Sequence, residues 1–160
     1  FAPERAKDLL FTAPYLHVEL GYLVPAGSSA KSIADIDRAA MRVGVGAGST
    51  SEAWLAEAFK QAKLVPAPTT GAGIAMLANG QLDAFATNKA VLHRMSASLP
   101  GSRVLEGRWG VERFAAALAS DRAAAMPFVA RFVADAEREG LVERAIETAG
   151  VRGVLPPTAR

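Results

Sequence analysis

The apolar and polar positions change period several times along the chain. Residues 15–27, "YLHVELGYLVPAG", are an apolar stretch closed by Pro25 and Gly27, which predicts an extended strand. Residues 28–41, "SSAKSIADIDRAAM", predict one short helical turn with Ser32 as its N-cap. "MRVGVGA" then predicts a strand and "STSEAWLAEAFKQA" a helix, with Ala53, Leu55, Ala56, Phe59 and Ala62 supplying an apolar face. "KLVPAP" predicts a strand that ends at Pro66 or Pro68. "TTGAGIAMLANG" predicts a helix that starts on Thr69 or Thr70 and stops at Gly80. "QLDAFAT" predicts a strand, "NKAVLHRMSA" a helix with Asn88 near its cap, and "SRVLEG" another strand.

Residues 42–107 therefore alternate strand and helix. Alternation with short links argues for an α/β layer, a parallel sheet with helices on its faces. After it, residues 114–118 predict a return strand. Residues 126–150 place Phe128, Val129, Phe132, Val133 and Ala136, then Leu141, Val142, Ala145 and Ile146, at helical spacing. They predict a pair of amphipathic helices broken at Gly140. The tail "VLPPTAR" predicts a mobile end.

Composition narrows the function classes. The 160 residues are 51% hydrophobic and 21% charged, which suits a packed fold and not a disordered chain. The net charge is only +2 and no run of five Lys/Arg occurs, which argues against nucleic acid as a partner. Cysteine is absent, and with it disulfides, thiolate nucleophiles and cysteine zinc sites. No apolar run approaches the ~20 residues that a membrane helix needs. The chain opens "FAPERAKDLLF" without Met, which is the expectation for a processed or truncated protein.

The turn in "RVGVGAGSTSEAWLAEAF" carries the strongest chemical signal. Ser49 and Glu52 have the spacing of a capping box, with Ser49 at the N-cap. Free N–H groups at such a helix start, with Thr50 and Ser51 hydroxyls beside them, also make an anion seat. Nucleotide phosphate fits poorly. The P-loop lysine is missing. In the dinucleotide pattern Gly44 and Gly46 would be the first two glycines, but Ser49 stands where the third belongs. Starting from Gly46 and Gly48 puts Ser51 there, and no acidic residue follows at the expected distance.

Loops after parallel strands emerge at one sheet edge, so the loops Ser49–Ser51, Thr69–Gly73 and Thr87–Asn88 should converge. Polar loops without a strong base suggest holding a ligand more than transforming it. His17 and His93 are the only histidines and lack metal-ligand spacing, so neither a metal nor a cofactor is expected. No nucleophile elbow occurs, and no catalytic residue is assigned. Asp83 stands in an apolar strand context, where a structural hydrogen-bonding role is expected.

Taken in order, these blocks resemble the family 3 extracellular solute-binding proteins of polar amino-acid ABC importers. "PERAKDLLFTAPY" is similar to that family's ligand-arginine segment, and "GYLVPAGSSAKSIADI" to its strand between lobes. "RVGVGAGSTSEAWL", "MLANGQLDAFATN" and "FVADAEREGLVERAIETAGV" resemble later blocks, so nearly the whole chain is covered.

The resemblance implies a type II periplasmic-binding-protein-like fold, two α/β lobes with the ligand between them and hinge closure around it. One lobe would be a complete parallel or mixed-sheet layer and the other partial. Residues 1–28 would be the remnant of lobe 1 with a crossing strand, 29–107 lobe 2, and 108–160 the return crossing and C-terminal helices. Arg5 would clamp a ligand carboxylate, since a guanidinium binds it through two parallel hydrogen bonds. Ser49, Thr50 and Ser51 would meet the same carboxylate from lobe 2, with Thr70 a further contact and Tyr15 a packing residue. The implied partners are a small ligand, an amino acid or organic acid, and an ABC permease; the implied location is periplasmic or extracellular.

Two departures from the family pattern matter. Amino-acid binders of the family usually carry Asp where Asn88 stands, and that Asp pairs with the ligand ammonium. The strand–helix block that precedes the Arg segment in the family is also missing, which predicts exposed apolar surface and self-association through the incomplete lobe. The alternatives are an enzyme on the same fold, similar to cyclohexadienyl dehydratases with Glu19 or Glu52 as acid or base, and a truncated sensor domain.

Overall fold

A computed structural model describes residues 8–156; Arg5 lies outside them. The strands are β1 (Leu9–Phe11), β2 (Leu16–Val24), β3 (Arg42–Gly46), β4 (Lys63–Ala67), β5 (Ala84–Asn88), β6 (Arg103–Val104), β7 (Gly110–Phe114), β8 (Ala117–Ala119) and β9 (Val154–Leu155). The helices are α1 (Thr50–Ala58), α2 (Thr70–Ala78), α3 (Lys89–Ala97), α4 (Met126–Arg138) and α5 (Leu141–Ala149). The chain divides into two compact units, one of Phe1–Glu19 with Val111–Arg160 and one of Leu20–Gly110.

The Leu20–Gly110 unit is an α/β layer with strand order β4-β3-β5-β2-β6. β3 runs parallel to β4 and β5, and β2 runs antiparallel to β5 and β6, so the sheet is mixed. Side chains alternate across it as the two-residue strand period requires. Tyr22, Val24, Val43, Val45, Ala84 and Ala86 bury on one face with Leu55 of α1. Leu23 and Phe85 bury on the other with Leu77 of α2 and Leu92 and Met95 of α3. Each fully buried Leu or Phe stabilises the fold by roughly 1.5–3 kcal/mol.

Two carboxylates fix the joints of this unit. Asp83 accepts the backbone N–H of Arg42 at 2.8 Å and its guanidinium through Nε at 2.9 Å and Nη2 at 2.8 Å. It ties the starts of β3 and β5, the structural role expected of an acid in that strand context. Asp37 accepts the backbone N–H groups of Lys60, Gln61 and Ala62, which α1 leaves behind as it ends. These bonds hold the Asp37 carboxyl below the usual carboxylate range.

The apolar face expected of α1 is narrower than its sequence suggests. Ala53 and Ala56 are exposed, while Ser51 and Leu55, four residues apart, are buried. A nine-residue helix lying on one sheet face buries a single i, i+4 line.

In the other unit, β1 pairs antiparallel with β8, from Leu9↔Ala119 to Phe11↔Ala117. Residues 114–118 are not one return strand. β7 ends at Phe114 and β8 begins at Ala117, with Thr12 bonding both ways to Ala116 across the break. Val154 and Leu155 of the tail are not loose: as β9 they pair with Val18 and His17 of β2, which satisfies backbone that a mobile end would leave to water. α4 and α5 form as expected on either side of Gly140, but their apolar face is only half covered. Val133 is buried, whereas Phe128 is 77% and Phe132 64% exposed. Phe132 borders an apolar groove of about 390 Å³ with Tyr15, Ala136, Leu141, Val142 and Ile146.

Candidate functional site

The parallel strands β3, β4 and β5 end at the same edge of the sheet, and each leads into a helix. Three nine-residue helices therefore start side by side, each with first-turn N–H groups that lack a partner within the helix. Their dipoles place partial positive charge there.

Each start is capped by a side-chain oxygen. Ser49 Oγ accepts the Glu52 N–H at 3.1 Å. Thr69 Oγ1 accepts the Ala72 N–H at 3.1 Å. Asn88 Oδ1 accepts the Val91 N–H at 3.0 Å. The capping box at Ser49 closes differently from its usual form. Glu52 Oε2 takes the N–H of Gly48 at 2.6 Å, one residue earlier than the N-cap, while the Ser49 N–H donates to Gly46 O at 3.1 Å. Gly48 makes this possible with φ +69°, a left-handed turn that a side chain would strain.

The residues singled out from the sequence take different places around this edge. Ser49 caps α1 and is half-buried. Thr50 and Thr70 open their helices and are exposed. Ser51 is buried, 3% exposed, so its side chain faces the interior. Asn88 ends β5, caps α3 and is half-buried. Thr69, expected at this edge with its loop, is the N-cap of α2 and is exposed. Arg5 lies outside the described residues.

Other chemistry is not assembled here. Among the described residues no group of three His, Asp or Glu side chains could hold a metal ion. His17 and His93 stand on different elements, β2 and α3. No helix among the described residues is long and apolar enough to cross a membrane.

No protein-family model and no curated protein matches the chain. Solved structures do. An amino-acid ABC transporter substrate-binding protein from Streptococcus pneumoniae, bound to L-arginine, is 24% identical with a TM-score of 0.79, over 93% of this chain and 64% of that one. A solute receptor for L-cysteine from Neisseria gonorrhoeae is 25% identical with a TM-score of 0.78, over 92% of this chain and 60% of that one. The fold is that of the solute-binding proteins. An ancestral amino-acid-binding protein, a precursor of cyclohexadienyl dehydratase, shares it as well, at 21% identity and a TM-score of 0.78. It is matched over 92% of this chain and 64% of its own. These neighbours are binding proteins. The chain spans less than two thirds of the length of each.

Proposed function

We propose that this chain is the substrate-binding component of an ABC importer, working in the periplasm or at the outer cell surface. It captures a small polar solute that bears a carboxylate and presents it to a membrane permease. The observation that carries this reading is the row of three helix starts at the carboxyl ends of three parallel strands, in a fold whose neighbours bind amino acids. Ligands of open α/β sheets sit at that edge, and helix N-termini favour anions.

In this reading Ser49, Thr50, Thr70 and Asn88 meet the solute with side-chain groups. Ser51, whose side chain is buried, offers its backbone N–H. Arg5 stays a ligand residue on the strength of the resemblance alone. The protein is a binder and not an enzyme. The one acid in the first turns of these helices, Glu52, is engaged by the Gly48 N–H and serves as part of a cap. Unit Phe1–Glu19 with Val111–Arg160 mediates self-association through its exposed phenylalanines.

Calorimetric titration with a panel of amino acids and small organic acids tests the binding role. Saturable binding of at least one, weakened by Ser49→Ala, is expected. Absence of saturable binding across the panel overturns the reading. Incubation with prephenate tests the enzymatic alternative, and appearance of a decarboxylated product would establish it.

A further inference from the structure

The unit of Phe1–Glu19 with Val111–Arg160 has little core of its own. Among its described residues the buried hydrophobic side chains are Val18 and Val133, whereas the other unit holds two core clusters. Its helices α4 and α5 carry apolar stripes, and such a stripe is stable only against another apolar surface. Beside the groove of about 390 Å³ lies a second of about 420 Å³, and the two share Tyr15, Phe132, Ala136 and Val142. They form one apolar trough along α4. Phe128, the most exposed large hydrophobic side chain among the described residues, stands on the same helix one turn before Phe132.

We propose that this trough takes a second copy of the chain, with the two α4 helices antiparallel about a twofold axis at Phe132, an inference that rests on the self-association reading above. In such a pair the numbers of facing residues sum to a constant, so this axis sets Phe128 of each copy against the partner's Ala136. The knob thus meets a small side chain that lines both grooves. A cavity of about 150 Å³ already holds a benzene ring, so either groove has room for it. An axis two residues earlier sets Phe128 against the partner's Phe132, knob against knob. An axis two residues later sets it against the partner's Gly140, beyond the end of α4. The area also suits a second copy. At roughly 200 Å² for a phenylalanine, Phe128 and Phe132 expose about 280 Å². That is about half of the ~500 Å² of apolar area that one partner brings to a standard homodimer interface. Leu141 and Val151 line the same trough and are exposed as well. Charge does not oppose the pairing. Arg131 and Arg138 both reach Asp135 within α4, at 3.7 and 2.8 Å, so the charges beside the stripe are paired within each copy.

The chain has no cysteine, so single cysteines report the geometry cleanly. In analytical ultracentrifugation the wild-type chain is expected at twice 16.7 kDa, with a mass that levels off as concentration rises. Phe132→Cys is expected to couple to its mate through a short bis-maleimide, whereas Glu57→Cys, exposed on α1, stays uncoupled. Ala136→Phe fills the place of the incoming ring and is expected to weaken the dimer about tenfold or more. Ala134→Phe, exposed on α4 and outside the trough, leaves it unchanged. Should Ala136→Phe lose helical signal, the coupling of Phe132→Cys alone decides. If the chain dimerises but Phe132→Cys does not couple, or Ala136→Phe dimerises as well as Ala134→Phe, the twofold arrangement is overturned while self-association stands. Assemblies that keep growing with concentration mark a contact that does not close, and overturn it likewise. A wild-type chain that is monomeric throughout ends both.

Discussion

A methyl group placed on Gly44 would stand 2.6 Å from Cδ2 of Phe85, closer than carbon atoms pack. The Phe85 ring lies over β3 at Gly44 and under α2 at Gly73, where an added Cβ would come within 2.5 Å of its Cε2. The glycine that looked like the opening of a nucleotide fingerprint is therefore a packing residue, the floor on which Phe85 rests. Gly44→Ala is expected to cost about 1–3 kcal/mol, the usual range for overpacking a filled core. Gly46→Ala should be far milder, because its Cβ would meet only Ser49 at an ordinary 3.6 Å. Urea melts of the two variants check the contrast, and equal losses would contradict it.

The Arg42 guanidinium and backbone hold the Asp83 carboxyl below the usual carboxylate range, with the guanidinium hydrogen bonds the larger cause. A carboxylate depressed in the folded state contributes stability above its unfolded pKa of about 4 and loses it as pH falls through the lower folded value. Asp83→Asn should lower the melting temperature at neutral pH, and the gap to wild type should shrink below about pH 4. A gap that stays constant across that range would assign Asp83 no electrostatic part.

The α1 cap is separable from the site it borders. Ser49→Ala removes the oxygen that accepts Glu52 N–H and is expected to cost about 1 kcal/mol. Ser49→Asp should restore the stability, because a carboxylate caps as well, but should weaken binding of an anionic solute by repulsion. Denaturant melts read the first effect and titration the second.

Phe128 and Phe132 stand one helical turn apart on α4 and are both mostly exposed. Phe128→Ser with Phe132→Ser should lower the mass measured by light scattering toward that of one 16.7 kDa chain, without loss of helical signal. A wild-type chain that is already monomeric at high concentration would count against self-association.

Much of the site was legible because helix starts are written locally. Ser49, Thr69 and Asn88 each cap the amide three residues on, so the cap and its target lie in one short window. The alternation from Arg42 onward likewise announced parallel strands whose ends meet at one edge. Local reading failed where the deciding partner is far along the chain. Val154 and Leu155 read as a loose tail, yet they pair with His17 and Val18. Phe114 and Ala117 read as one strand, yet Thr12 breaks it by bonding to Ala116 on both sides.

By itself the sequence determined the order of elements, the helix starts and their capping residues, since each depends on neighbours within a turn. Only the tertiary structure decided that Gly44 serves Phe85 and that Ser51 turns inward. The physical reason is the same in each case. Packing and the direction of a hydrogen bond depend on which atoms arrive from elsewhere, and the spacing of residues along one segment does not record them.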